Sequence, residues 1–256
     1  TFLRLGYGFT RQRNGAANMH AVASISAVAG HWQYLGGGAL LSNSGIYHWD
    51  KTLIEGLDTV DPTIRLLDQS RIGEILTGDQ NALGNGPPVK ALLIQNTNPM
   101  SVAPNLNLVK KGFEREDLFV CVHEQFMTET AKMADIILPA TMFLEHDDIY
   151  QAGGHQHIQF GPKAISAPGE CRSNHEVICD LSARLGAKHR GFSLSAKEVI
   201  DETLLSSGWE NLETLEHKKW FDAQPDFEKS HFISGFGHSD KRWHFSANWN
   251  EQHSKW

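Results

Sequence analysis

Asn96 and Asn98, then His123 and Glu124, then Glu145 and His146 each follow a short apolar run, and these are residue types that can hold a nucleotide. A carboxylate such as Glu124 accepts paired hydrogen bonds from ribose hydroxyls or from the N1–H and 2-amino edge of guanine. Asparagine offers both a donor and an acceptor. The same residues also cap strand ends and turns, as Asn-x-x-Pro loops commonly do, so one cluster alone would favour a purely structural role. Three clusters, each at the end of its own run, favour a ligand.

Other candidate chemistry is weaker. The Gly6-x-Gly8 turn between a strand-like run and a helix starts like a dinucleotide fingerprint, but Arg11 fills the slot of the third glycine. A nicotinamide site is therefore disfavoured, and the turn is expected to require positive φ. Arg11 and Arg13 stand just before the helix, where they could assist a phosphate or another anion. Glu145, His146, Asp147 and Asp148, followed by His155 and His157, match no standard zinc or EF-hand spacing. A solvated loop is expected there, with His146 facing the strand-end crevice and no metal ligand among these side chains. His20 can be a core histidine, a surface residue or an active-site wall. No Gly-x-Ser-x-Gly context or triad assembles, so the catalytic residues are unassigned. The three cysteines, Cys121, Cys171 and Cys179, form no C-x-x-C pair, and Cys121 reads as a small hydrophobe in a buried strand.

The positioning elements lie between Lys90 and Glu145. Ala91–Ile94, Leu118–Val122 and Asp135–Leu138 are continuous apolar runs short enough for strands buried on both faces of a parallel sheet. In such sheets ligands bind beyond the carboxyl ends of the strands. The expected fold is α/β: a Rossmann-like, mostly parallel sheet with helices on both faces, irregular loops and a C-terminal extension. Helices are expected over roughly 16 residues ending at Gly30, after the Gly6-x-Gly8 turn, and near Ile64–Leu76, near Asn105–Gly112, around Thr128–Ala134 and over Ser195–Leu205. Ser173 and Glu176 form a capping-box pattern ahead of a Val177, Leu181 and Leu185 stripe that Gly186 closes.

Composition bounds the rest. The chain has 256 residues, 40% hydrophobic and 21% charged, as in ordinary globular proteins. A formal charge of −7 argues against broad binding to nucleic acid or anionic membranes. No run is long enough to span a bilayer, and none resembles a signal peptide. The cysteine count suits a reducing compartment, so a cytoplasmic location is expected, or a periplasmic one if an upstream targeting signal exists. The start without methionine and the polar tail after Trp249 suggest a piece of a longer polypeptide.

In order and spacing, these residues resemble a family. Gly6-Tyr7-Gly8-Phe9-Thr10-Arg11-Gln12-Arg13-Asn14-Gly15, Ala29-Gly30 and Gly36-Gly37-Gly38 are similar to the second half of the molybdopterin oxidoreductase catalytic subunit. That family contains dimethyl sulfoxide reductase, formate dehydrogenase and periplasmic nitrate reductase. Gln95-Asn96-Thr97-Asn98-Pro99, Thr128-Glu129-Thr130-Ala131, Ala134–Pro139, Glu145 and Arg172-Ser173-Asn174 continue the match. So do Gly235-Phe236 and Trp243-His244-Phe245. The resemblance implies a bis-molybdopterin guanine dinucleotide around molybdenum or tungsten, and oxo-transfer or dehydrogenation of a small substrate with electron transfer. Residues 1–190 would form an incomplete cofactor-binding α/β domain, and 191–256 an extension leading toward a C-terminal domain. Tyr7 and Arg11 would approach the pterin or phosphates, Asn96 or Asn98 a phosphate or ribose, and His123 and Glu124 the guanosine. His146 stands where some relatives place a lysine, and Asn174 where others place a guanosine-contacting aspartate. His20 aligns near an arginine of formate dehydrogenases, which weakens a formate assignment.

The resemblance further implies that the metal ligand and any iron–sulfur cluster belong to an N-terminal region. Expected partners are the remaining domains of the same polypeptide, a small substrate and an electron-transfer partner, with no nucleic acid and no membrane span. By itself the chain is expected to be inactive. Two competing readings are a cofactor-free scaffold or interaction module and the disfavoured nicotinamide enzyme.

Overall fold

The computed structural model describes residues 1–246. Along the chain, strand β1 (Phe2–Arg4), helix α1 (Gly15–Val28) and strand β2 (Gly38–Leu40) precede helices α2 (Thr52–Glu55) and α3 (Ile72–Thr77). Strand β3 (Ala91–Gln95), helices α4 (Pro99–Val102) and α5 (Leu106–Phe113), and strands β4 (Phe119–Glu124), β5 (Ile136–Pro139), β6 (Asp148–Tyr150) and β7 (His157–Gly161) follow. Helices α6 (Asn174–Leu185), α7 (Ala196–Ser206) and α8 (Leu212–Lys218), strand β8 (Phe221–Asp222) and helix α9 (Phe227–Ser230) complete the described part. The α/β class with parallel sheets is what the sequence predicts. The chain forms two compact units interleaved along the sequence: residues 1–48, 150–159 and 215–256 in one, 49–149 and 160–214 in the other. The end of the expected extension, 247–256, lies outside the described residues.

In the first unit β1 and β2 pair in parallel, Phe2 opposite Gly38 and Arg4 opposite Leu40. Gly38 has φ +110°, and a Cβ there would meet the Trp32 indole at 2.4 Å, so no other residue fits without moving that ring. The expected positive φ in the Gly6-x-Gly8 turn is absent, since neither glycine adopts it. Phe9 N–H donates to the Gly6 carbonyl (3.2 Å) and Thr10 N–H to that of Tyr7 (3.1 Å), an ordinary turn. A Cβ on either glycine would meet no atom within 4 Å, so this chain's own packing does not demand glycine there. Helix α1 ends as expected, with Gly30 in the left-handed region at φ 64°.

The second unit is built on the parallel sheet β3–β4–β5, with Leu92 opposite Val120 and Val122 opposite Ile137. Leu76, Val109 and Phe113 from α3 and α5 pack with Ile94, Val120 and Val122 into one core. Full burial of such side chains contributes about 1.5–3 kcal/mol each. The two helices approach closely because Gly73 and Gly112 sit between them. At the base of the sheet Arg115 grips Asp117 with two 2.9 Å bonds and donates to the Leu76 carbonyl at 2.8 Å. Arg115, then Lys90, holds the Asp117 carboxyl far below the ordinary carboxylate range.

Burial of this sheet is one-sided, whereas the apolar runs predict cover on both faces. Leu93, Phe119 and Ile136 are 40%, 51% and 45% exposed on the side opposite α3 and α5. A continuous apolar run records that both faces are apolar, not what covers them. Two helices are shorter than expected. Over Ile64–Leu76, Asp68 accepts from Ser70 N–H (2.9 Å) and Ser70 Oγ (2.7 Å), a local turn that delays α3 to Ile72. Over Thr128–Ala134 only the 3-10 turn Ala131–Met133 forms, because Thr128 Oγ1 accepts from Ala131 N–H (3.1 Å) and Thr130 is engaged elsewhere. The helices expected near Asn105–Gly112 and over Ser195–Leu205 form as α5 and α7. No helix among the described residues is long and apolar enough to cross a membrane.

Candidate functional site

Strands β3, β4 and β5 run in the same direction, so Asn96, Glu124 and Thr141 reach one carboxyl edge. A fourth segment joins them. Arg172 N–H donates to the Pro139 carbonyl (3.0 Å) and Thr141 N–H to that of Arg172 (3.1 Å), forming a parallel bridge beside β5. Ser173 then caps α6, and Asn174 is the first residue of that helix. On β4, His123 shares the more open face with Phe119 and Cys121 yet is itself buried, while Glu124 stays half-exposed.

Two clamps hold this edge. In the first, Asn98 Nδ2 donates to Ser101 Oγ and Glu129 Oε2, both at 3.1 Å. Its Oδ1 accepts from Thr130 Oγ1 at 2.6 Å and Thr130 N–H at 3.3 Å. Buried Thr130 Oγ1 also accepts from Met100 N–H at 3.1 Å. The Asn98 amide, then Glu129's own backbone and the Ser101 hydroxyl, keeps the Glu129 carboxyl below its ordinary value. In the second clamp His123, 2% exposed, lies between Gln95 and the Arg172 carbonyl.

The remaining edge residues point to less committed groups. Asn96 is exposed and held at φ 57°, the left-handed region that asparagine tolerates better than most residues and that recurs at functional positions. Glu124 Oε1 accepts from Gln125 N–H at 2.7 Å. His146 Nδ1 lies 2.7 Å from the buried Thr141 hydroxyl, and its Nε2 lies 3.7 Å from Asp148 Oδ2. Asn174 is exposed. Beside Asn174 and His146 opens a cavity of about 390 Å³, lined further by His175, Phe192, Ile200 and Thr203. Thr203 is only 5% exposed, and its hydroxyl has no hydrogen-bond partner among the described residues. Cys179 also lines the cavity, where burial, then Asp180, pushes its thiol up.

The residues expected at the pterin belong to the first unit. Tyr7 and Arg11 are exposed in the turn and loop after β1. His20 lies on α1, stacked on Trp243 with ring centroids 5.3 Å apart, its Nε2 3.3 Å from the Phe245 carbonyl. Trp243 Nε1 donates to Ser24 Oγ at 2.9 Å, so the end of the described chain is tied back to α1 through this stack. Gln95, Thr130, Thr141 and Thr203 are additions to the site that sequence reasoning missed. For Gln95 the signal was present: it is the polar residue that ends an apolar strand.

The α6 terminus that presents Asn174 rests on the capping box. Ser173 Oγ accepts from Glu176 N–H, and Glu176 accepts from Ser173 N–H at 2.8 Å. That backbone bond first, and the Ser173 hydroxyl after it, hold the Glu176 carboxyl below its ordinary value. Ser173→Ala is expected to cost about 1 kcal/mol in thermal or denaturant unfolding. A depressed carboxyl stabilises fully above its ordinary pKa, and the stabilisation is lost as pH falls through the lowered folded value. The midpoint gap between wild type and Glu176→Gln should therefore close on acidification; a gap that ignores pH would contradict the capping geometry.

The family model described as molybdopterin oxidoreductase matches residues 2–184, and the chain belongs to that family. The probable oxidoreductase YoaE of Bacillus subtilis is 37% identical over 206 residues, which are 80% of this chain and 29% of that protein. The assimilatory nitrate reductase catalytic subunit of the same organism is 38% identical over 119 residues, 46% of this chain and 16% of that one. Acetylene hydratase from Pelobacter acetylenicus shares the fold over 70% of this chain and 24% of its own, with a TM-score of 0.55 at 22% identity. The chain thus spans less than a third of the length of these relatives.

Proposed function

We propose that the carboxyl edge of β3–β4–β5 holds the guanosine diphosphate arm of a bis-molybdopterin guanine dinucleotide carrying molybdenum or tungsten. The observation that carries the reading is the convergence of Asn96, Glu124 and Asn174 at one edge, beside the cavity lined by Asn174, His146 and Thr203. The donor set fits: Glu124 accepts from ribose hydroxyls or the guanine edge, and Asn96 and Asn174 supply both donors and acceptors. His146 lies on the cavity wall to meet the nucleotide, and Asn98 and His123 hold the edge in place. Tyr7 and Arg11 serve the pterin or phosphate side, with the Arg11 guanidinium suited to an anion.

When bound, the metal centre supplies the electron transfer for oxo-transfer or dehydrogenation of a small substrate. This chain's contribution is to bind and orient the nucleotide tail. Turnover belongs to the full-length polypeptide, with its other domains, its metal ligand, an iron–sulfur cluster where the upstream region carries one, and an electron-transfer partner. A cytoplasmic setting is part of the same reading. Calorimetric titration of the chain with guanosine diphosphate, against adenosine diphosphate as control, tests it. Saturable binding that prefers the guanosine nucleotide is expected; no saturable binding of either, or equal binding of both, would overturn the assignment.

A further inference from the structure

We infer that His123 is a positioning residue: a buried imidazole, bonded on both nitrogens, that fixes the segment delivering Asn174 to the site. A histidine at the end of a buried strand must satisfy two ring nitrogens away from water. Here Gln95 Nε2 lies 3.0 Å from Nδ1, and the Arg172 carbonyl lies 3.1 Å from Nε2. A carbonyl only accepts, so the geometry assigns the proton to Nε2, and Nδ1 accepts from Gln95. Neither nitrogen is left for a ligand.

The bridge spans four segments. Gln95 pairs with His123 in the register of β3 and β4, and His123 pairs with Leu138 in that of β4 and β5. The Arg172 carbonyl receives His123 Nε2 and Thr141 N–H together, each at 3.1 Å, although Arg172 is 49 residues from His123 in sequence. Ser173 and Asn174 follow directly, so the imidazole sets where α6 starts and where its first side chain stands. The strand-end residues therefore divide by role: His123 and Gln95 hold the edge, while Asn96, Glu124 and Asn174 present it to the ligand. The tautomer and the bridge stand on geometry alone, and the effect on binding rests on the nucleotide reading above.

The test is nitrogen NMR of the histidine-labelled full chain, with and without guanosine diphosphate, alongside His123→Gln and His123→Leu. The His123 ring is expected to show a bare Nδ1 and a protonated Nε2, slow exchange of that proton, and no change in tautomer on saturation with nucleotide. Glutamine can still donate toward Arg172, so His123→Gln should bind within about threefold of wild type. Leucine removes both bonds and should weaken binding by about tenfold or more, with faster amide exchange at Thr141. A protonated Nδ1, a solvent-exchanging ring, or loss of binding in His123→Gln with Thr141 still protected would overturn the inference. If wild type fails to bind nucleotide, the functional reading falls. Tautomer and Thr141 exchange then still decide the role of His123, and they do so in the wild type even if His123→Leu does not fold.

Discussion

Glu124→Ala is expected to weaken guanosine diphosphate binding by about 10- to 100-fold, the loss that follows from removing a charged hydrogen-bond acceptor. The residue ends β4 at the centre of the sheet, where both neighbouring strands deliver their own polar ends. Among the described residues its side chain makes one local bond, accepting from Gln125 N–H. Fold stability should therefore move by no more than about 0.5 kcal/mol, as for other surface positions. Glu124→Gln keeps an acceptor without the charge and should fall between alanine and wild type. Calorimetry of the three proteins, with thermal unfolding as control, gives the comparison. Equal affinities would remove Glu124 from the site, and a collapse in stability would reassign it as structural.

Gly112→Ala is expected to destabilise the second unit by about 1–3 kcal/mol, the usual cost of overpacking a core. In an open helix the same change would stabilise by nearly 1 kcal/mol. The sign reverses because a Cβ at Gly112 would stand 2.5 Å from the Cβ of Leu76, an atom that no rotamer can move away. Leu76 is almost fully buried in the core beneath the sheet, so α3 and α5 must separate and loosen the face that supports β3 and β4. Denaturant unfolding of the variant would measure it; unchanged or raised stability would show that the two helices separate freely.

Much of this fold was legible from local signals. The strands β3, β4 and β5 emerge as apolar runs bounded by breakers, and α6 and α7 each carry a Ser-x-x-Glu box that the structure forms. The misjudged segments are those where side chains compete with the backbone. Asp68 diverts the start of α3, and Thr128 and Thr130 are drawn into turns and clamps. For the site, the sequence locates the edge but not the division of labour along it. Asn98 and Asn96 look equivalent in one motif, yet Asn98 spends its amide on residues about 30 positions away, while Asn96 is turned outward at positive φ. His123 reads as a ligand because nothing local shows that Arg172, 49 residues on, returns beside β5 to take its second nitrogen. Thr203 carries no motif and becomes visible only when α6 and α7 enclose the cavity.

The most direct test of the central claim is an amide-shift footprint of guanosine diphosphate on the isotopically labelled chain. Saturable shifts should cluster at Asn96, Glu124–Gln125, Thr141 and Asn174, with smaller ones around Thr203. Shifts confined to the Gly6–Arg13 turn, or no saturable shift at all, would contradict a nucleotide site at the carboxyl edge of β3–β4–β5.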